Sequence, residues 1–404
     1  MAFESASGIR AGSTAQRTVA TRTVPFHRPD IGEEEVSAVV ETLRSGWLTL
    51  GPRSQAFEQE FAREVGAPHA VAVNSCTAAL HLALDGLQLR PGDEVITSTF
   101  TFAATGATII HAGARPVLVD CTADTLNLDP SDVARKVTPR TRAIVPVHFA
   151  GHPAAMDELL EIARAHHLSV VEDGAHALPA SYRGRRVGSI GDLTAFSFYA
   201  TKNLTTGEGG MLTLADGALA ERLRARRLHG MSRDAWRRYR ADGSWRYDVS
   251  SPGFKYHMTD TAAAMGLVQL RRLPALHRRR RQLVALYDEL LAGTEELQLP
   301  SAQPEVEHAW HLYVIRVRPE RLRSHRDRIM EELKAQGIST NVHFIPLHLH
   351  SYYRGTFGYR PEDFPVASAV AETIMSLPLF TLMSDEDVRY VASRLRRILD
   401  GNRR

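Results

Sequence analysis

The chain has 404 residues, 44% of them hydrophobic and 24% charged, with a formal net charge of +3. Such a length suits two domains sharing an interface, and the composition is that of a soluble globular enzyme. So weak a charge, spread among interspersed acids, implies no nucleic-acid or other polyanion partner.

Residues 1–24 read as a disordered tail rich in Ser, Thr, Ala and Gly, without the apolar core of a secretory signal. Residues 30–46, DIGEEEVSAVVETLRSG, predict a helix with a capping aspartate and early glutamates. Short apolar runs then alternate with longer amphipathic segments. AVAV (70–73) precedes a helix from about Ser75 to Leu87; EVIT (94–97) precedes helical TFAATGATIIHAG, and RPVLVD (115–120) follows. RAIVPVHF (142–149) precedes helical MDELLEIARAHH, and SVVED (169–173) follows. Repeated strand-then-helix units imply a parallel sheet with helices on both faces. Between about 185 and 215 the pattern changes to strand-like runs with tight turns, in RRVGS, LTAFSFY and GGMLTL.

The arginine-rich run from Arg271 to Leu283 predicts a solvated helix face, because no stacking aromatics are interleaved as nucleic-acid binding would need. Beyond it come strand-like HLYVIRVR, helical RDRIMEELKAQG, strand-like ISTNVHFIP and a last helix from about Asp385. The expected organisation is a large α/β domain over 25–280 and a smaller C-terminal α+β domain over 281–404. Two cysteines, Cys76 and Cys121, exclude a disulfide framework and fit a reducing cytoplasm. No window is apolar for long enough to span a membrane.

Ligands of parallel sheets bind beyond the carboxyl ends of the strands, which draws notice to NSCTAAL, STFTFAATG and EDGAHAL. Four of the 49 basic residues are lysines (Lys136, Lys202, Lys255, Lys334), and Lys202 stands in the Ser/Thr/Gly-rich stretch FSFYATKNLTTGEGG. A lysine amine, unlike a guanidinium, can lose its proton and attack a carbonyl; taken alone, survival of this lysine by chance is the better explanation. Asp173 ends a buried-looking strand, where its carboxylate could hold a proton on a ring nitrogen or merely cap the next turn. Asn74-Ser75-Cys76-Thr77 joins a strand to a helix start, a place for a phosphate or for simple caps. Ser197 could add a hydroxyl, Phe102 could cover a flat ring or lie in the core, and His176 could be a satisfied loop residue. Together these elements describe a pyridoxal phosphate site. No GxGxxG follows the first strand, against a dinucleotide enzyme. The paired histidines lack a matching carboxylate or cysteine set, so no metal site is expected.

The stretches NSCTAALHLAL, PGDEVITSTFTF, VEDGAHALPASYRGRRVGSIGD, FSFYATKNLTTGEGGML, GFKYHMTDTAAAMGLVQL and HAWHLYVIRV resemble the DegT/DnrJ/EryC1/StrS sugar aminotransferases from about Pro25 to Leu399. The resemblance implies the aspartate aminotransferase fold (type I), pyridoxal 5'-phosphate and a homodimer. It makes Lys202 the Schiff-base lysine, Asp173 the partner of the pyridine nitrogen and His176 the residue at the phenolic oxygen. It sets Phe102 over the ring, Cys76, Thr77 and Ser197 at the phosphate, Lys255 at the partner subunit's phosphate and His343 at the substrate. Cys76 departs from a common glycine, which is harmless if only its N–H is used. Some members are dehydratases with histidine in place of the lysine, and Lys202 argues against that branch.

RDAWRRY, FKYHMTD and FIPLHLHSYY look like members that aminate C4 of dTDP- or UDP-linked 4-keto-6-deoxy sugars. The expected reaction is 4-amination of a dTDP-linked 4-keto-6-deoxyhexose with L-glutamate as donor, by a ping-pong sequence. The rivals are 3-amination by the same chemistry and, from another class, a regulatory protein that keeps the fold.

Overall fold

The computed structural model describes residues 22–231 and 247–404. The stretch RDAWRRY and residues 1–21 of the expected tail lie outside them. The last residues of that tail are docked. The Val24 N–H donates to the Gly337 carbonyl at 2.9 Å, Ser339 N–H donates back to Val24 at 3.0 Å, and Arg22 pairs with Asp387 at 2.7 Å. An apolar side chain and an ion pair are reason enough for order there.

Two helices open the described chain, α1 (Glu33–Ser45) and α2 (Pro52–Val65). The first is capped by Gly32 rather than by the expected aspartate: Glu35 reaches back to the Gly32 N–H at 2.9 Å. Asp30 is engaged elsewhere, by Arg272 at 2.7 Å and the Thr381 hydroxyl at 2.8 Å.

The βα units follow in order: β1 (His69–Val73), α3 (Cys76–Gly86), β2 (Glu94–Ser98), α4 (Ala103–His111), β3 (Arg115–Val119), α5 (Pro130–Lys136), β4 (Thr141–Val145), α6 (Met156–His166) and β5 (Ser169–Asp173). Two short strands, β6 (Ser181–Tyr182) and β7 (Arg185–Arg186), lead to β8 (Leu193–Ser197), β9 (Gly210–Leu214) and α7 (Gly217–Arg226). Seven strands form one sheet in the order β1-β9-β8-β5-β4-β2-β3. Pairing is parallel from β8 through β3, while β9 runs antiparallel to both of its neighbours. Every residue of β2 and β9 is buried, as strands covered on both faces require.

Helix α8 (Asp260–Leu291) packs its first half on α1 and α2 and its second on the C-terminal elements, so residue 280 falls inside one continuous helix. Its arginine-rich run is not wholly solvated, since Arg280 is 3% exposed.

The C-terminal part contains β10 (Leu297–Gln298), β11 (Val306–Glu307), β12 (Tyr313–Val317), α9 (Arg326–Ala335), α10 (Ser351–Phe357), α11 (Pro365–Ala371), β13 (Ile374–Leu377) and α12 (Asp385–Gly401). Strands β10, β12 and β13 make an antiparallel sheet, and β11 pairs with β6 of the N-terminal part. The stacked rings of Tyr287 and Tyr313, 4.7 Å apart, lie in the core between α8 and this sheet. ISTNVHFIP is not a strand. It makes single bridges to Val24 on one side and Ser376 on the other, then departs through Pro346.

Candidate active site

Strands β1, β5 and β8 run in one direction, so their carboxyl ends lie at one edge of the sheet. At the end of β1, Ser75 caps α3 by accepting the Ala78 N–H at 3.1 Å. That leaves the Cys76 and Thr77 N–H groups as the free donors of the first turn, where the helix dipole favours an anion. Strand β9 passes this turn so closely that a Cβ at Gly210 would lie 2.5 Å from the Ser75 carbonyl and 2.8 Å from the Cys76 nitrogen. Only glycine fits there. Thr77 is exposed, and Cys76 is half-buried. Burial and the Asp173 charge push the Cys76 thiol well up, so it stays protonated and its backbone N–H is the useful group. Ser197, at the end of β8, is half-buried and accepts only a long 3.4 Å contact from the Tyr199 N–H.

Asp173 ends β5 at 5% exposure. The Thr105 hydroxyl donates to it at 2.8 Å and the Ala175 N–H at 3.1 Å, so it caps the next turn at the same sheet edge. Burial pushes its carboxyl up from the ordinary range, against those two bonds and the Lys202 charge. Lys202 lies in the turn after β8, its N–H donating to the Tyr199 carbonyl at 2.9 Å. Burial pulls its amine from 10.5 down to about 8, while Cys76 and Asp173 hold it up. Lys202 thus lies within electrostatic reach of Cys76, Asp173 and His176.

His176 is buried, and its Nδ1 has no hydrogen-bond partner. Burial, Lys202 and His343 pull it well below its ordinary value, so the ring is neutral. Phe102 is no core residue: it is 61% exposed, with its ring 5.9 Å from that of Phe344. His343 bonds the Ser376 hydroxyl through Nδ1 at 2.9 Å and stacks on Phe26 at 5.5 Å. Burial and Lys202 bring it down to about 4. Lys255 is exposed. Its carbonyl accepts from Asn74 at 3.4 Å, beside the α3 turn of the same chain.

A buried imidazole nitrogen without a partner, a depressed lysine amine, free helix donors and an uncovered aromatic face match pyridoxal phosphate in donor set and charge. Sequence reasoning missed Thr105, Asn203, His311 and Phe344. Three of these stand in stretches already quoted as motifs, and Phe344 in FIPLHLHSYY, but nothing local marked them. Among the described residues, no group of three His, Cys, Asp or Glu could hold a metal ion, and no helix is long and apolar enough to cross a membrane.

The chain is similar to known proteins over almost its whole length. The model of the DegT/DnrJ/EryC1/StrS aminotransferase family matches residues 29–396. The spore coat polysaccharide biosynthesis protein SpsC of Bacillus subtilis is 51% identical, over 94% of this chain and 97% of that protein. An uncharacterized protein of Methanocaldococcus jannaschii is 49% identical, over 94% and 98%. A Streptococcus pneumoniae sugar aminotransferase, solved in its PMP form, superposes with a TM-score of 0.88 at 37% identity, over 94% of this chain and 98% of that one.

Proposed function

The chain belongs to the DegT/DnrJ/EryC1/StrS aminotransferase family, and from that premise we propose that it transfers an amino group from L-glutamate to C4 of a nucleotide-linked 4-keto-6-deoxyhexose, dTDP-linked by preference. That it is a sugar aminotransferase using pyridoxal phosphate follows from the family and its solved members. The single observation that carries the residue assignment is the place of Lys202 in the turn after β8, at the sheet edge where Asp173 ends β5 and the free N–H groups of Cys76 and Thr77 open α3, with burial drawing its amine down to about 8.

Bound pyridoxal phosphate supplies a carbonyl for amine exchange and a ring that takes up the electrons of a carbanion. The residues of this chain do the rest. Lys202 would hold the cofactor through its neutral amine and would move the proton at the donor's α-carbon as a positioned general base. Asp173 keeps a proton on the ring nitrogen, and Thr105 fixes the carboxylate that does so. The Cys76 and Thr77 N–H groups and the Ser197 hydroxyl hold the phosphate. His176, whose Nδ1 is free, would face the phenolic oxygen, Phe102 would cover the ring, and His343 would face the sugar.

Lys255 serves the partner's phosphate in a homodimer. Its exposure in the single chain, and that of Phe102 (61%), Ile345 (56%) and Tyr199 (47%), supports a second copy at this mouth. The names of the Bacillus and Streptococcus relatives, one in polysaccharide biosynthesis and one a sugar aminotransferase, support a sugar acceptor.

The test is a panel of dTDP- and UDP-linked 3-keto and 4-keto sugars with L-glutamate, read by mass spectrometry and NMR of the product. Fastest conversion of the dTDP-linked 4-keto sugar is expected. An amine at C3, or turnover with no member of the panel, overturns the proposal.

A further inference from the structure

Asn203 follows Lys202, and its carboxamide is held on three sides. Nδ2 donates both of its hydrogens to backbone carbonyls, Leu178 at 2.9 Å and Ala309 at 2.8 Å. The reverse orientation would set Oδ1 against two carbonyl oxygens, so Oδ1 must face His311 Nδ1, 3.2 Å away. An amide oxygen only accepts. His311 therefore carries its proton on Nδ1 and leaves Nε2 bare. Burial, then His176, Lys202, Arg280 and His343, pull His311 well below its ordinary value, so the ring holds a single proton.

The ring cannot wander. Its backbone N–H donates to the Ala150 carbonyl at 3.0 Å, and Arg280 donates to its own carbonyl at 3.4 Å. Against it lies His176, with ring centroids 4.4 Å apart, and His176 in turn stacks on Phe344 at 5.8 Å and 22°. One amide thus ties together the Lys202 turn, the loop carrying His176 and the segment entering β12.

We propose that Asn203 and His311 are positioning residues of this site: Asn203 sets the tautomer and place of His311, and the His311 ring holds His176 against Phe344 with its free nitrogen toward the cofactor. The inference rests on the reading of Lys202 and His176 given above. The effect reaches the site because His176 has no hydrogen bond of its own through Nδ1 to hold it.

The experiment is nitrogen-15 NMR of the apo protein labelled at histidine, with His311 assigned from the difference against His311→Phe. The wild type should show His311 as the Nδ1–H tautomer. Asn203→Ala should convert it to a mixture, move the His176 resonances and weaken cofactor binding about tenfold, as the loss of a few internal hydrogen bonds implies. A merely structural residue would lower the melting temperature and leave the tautomer and the cofactor affinity alone. If Asn203→Ala does not fold, the wild-type tautomer still decides. His311 found as Nε2–H overturns the proposal, as does a folded Asn203→Ala with unchanged cofactor affinity. Lys202→Ala separates the two readings. If it abolishes the cofactor's bond to protein while Asn203→Ala changes nothing, only this inference fails. If it leaves that bond intact, the assignment of the site fails.

Discussion

Glu172 and Asp173 are neighbours on β5 and point to opposite faces of the sheet. Behind the sheet, Glu172 accepts from His148 Nε2 at 2.8 Å, the Gly191 N–H at 2.8 Å and the Thr194 hydroxyl at 2.7 Å. His148 in turn uses Nδ1 to accept the Ala154 N–H at 3.0 Å. Both side chains are fully enclosed, and every polar atom there has its partner. On the other face Asp173 sits among a half-buried amine, a thiol and a histidine whose Nδ1 meets nothing. Asp173 and Glu172 are both buried, but the satisfaction of their surroundings differs. A closed network specifies a core; an open one leaves bonds for a ligand to make.

The contrast is broken or sharpened by substitution on each face. The largest effect belongs to Lys202→Ala, which removes nucleophile and base together and should lower turnover by about four orders of magnitude in a single-turnover assay, with the melting temperature little changed. Asp173→Asn comes next. A neutral amide cannot hold the ring proton, so turnover should fall about a thousandfold while equilibrium dialysis shows cofactor still bound. Near-normal turnover would move that role to another residue. Glu172→Leu strands three donors behind the sheet and should cost about 3 kcal/mol in denaturant unfolding. The folded fraction should keep its turnover to within about tenfold; a larger loss would mean the rear network is part of the chemistry.

Lys255→Ala should weaken cofactor binding by about 2 kcal/mol, the worth of one charge-assisted contact. Mixing it with Lys202→Ala should restore activity, because exchanged dimers hold one site with both lesions and one with none. If Lys255 serves its own chain's phosphate, as its backbone beside Asn74 also permits, no activity returns. The smallest effect is on pH. Neutral Lys202 is the reactive form, so the rate at which apo protein takes up cofactor should rise about tenfold per pH unit below about 8 and level off above it.

The strands and helices of the βα units were legible because each apolar run and each 3.6-residue stripe answers to burial on the sheet. The end of β5 at Asp173 and the turn holding Lys202 could be read the same way, as strand ends open toward a ligand edge. What was not legible depends on contacts distant in sequence. Thr105 meets Asp173 across 68 positions, and Asn203 meets His311 across 108. The cap of α1 fell to Gly32 because Asp30 is claimed by Arg272 and Thr381, far along the chain. ISTNVHFIP has a strand's composition, yet its backbone bonds are divided between Val24 and Ser376, and no local pattern records that.

The central claim is that Lys202 is the residue that holds the cofactor. Borohydride reduction of the holoenzyme, followed by proteolysis and peptide mass spectrometry, reads it directly. The account predicts the pyridoxyl mass on the peptide containing Lys202 and on no other. The same mass on Lys136, Lys255 or Lys334 would contradict it.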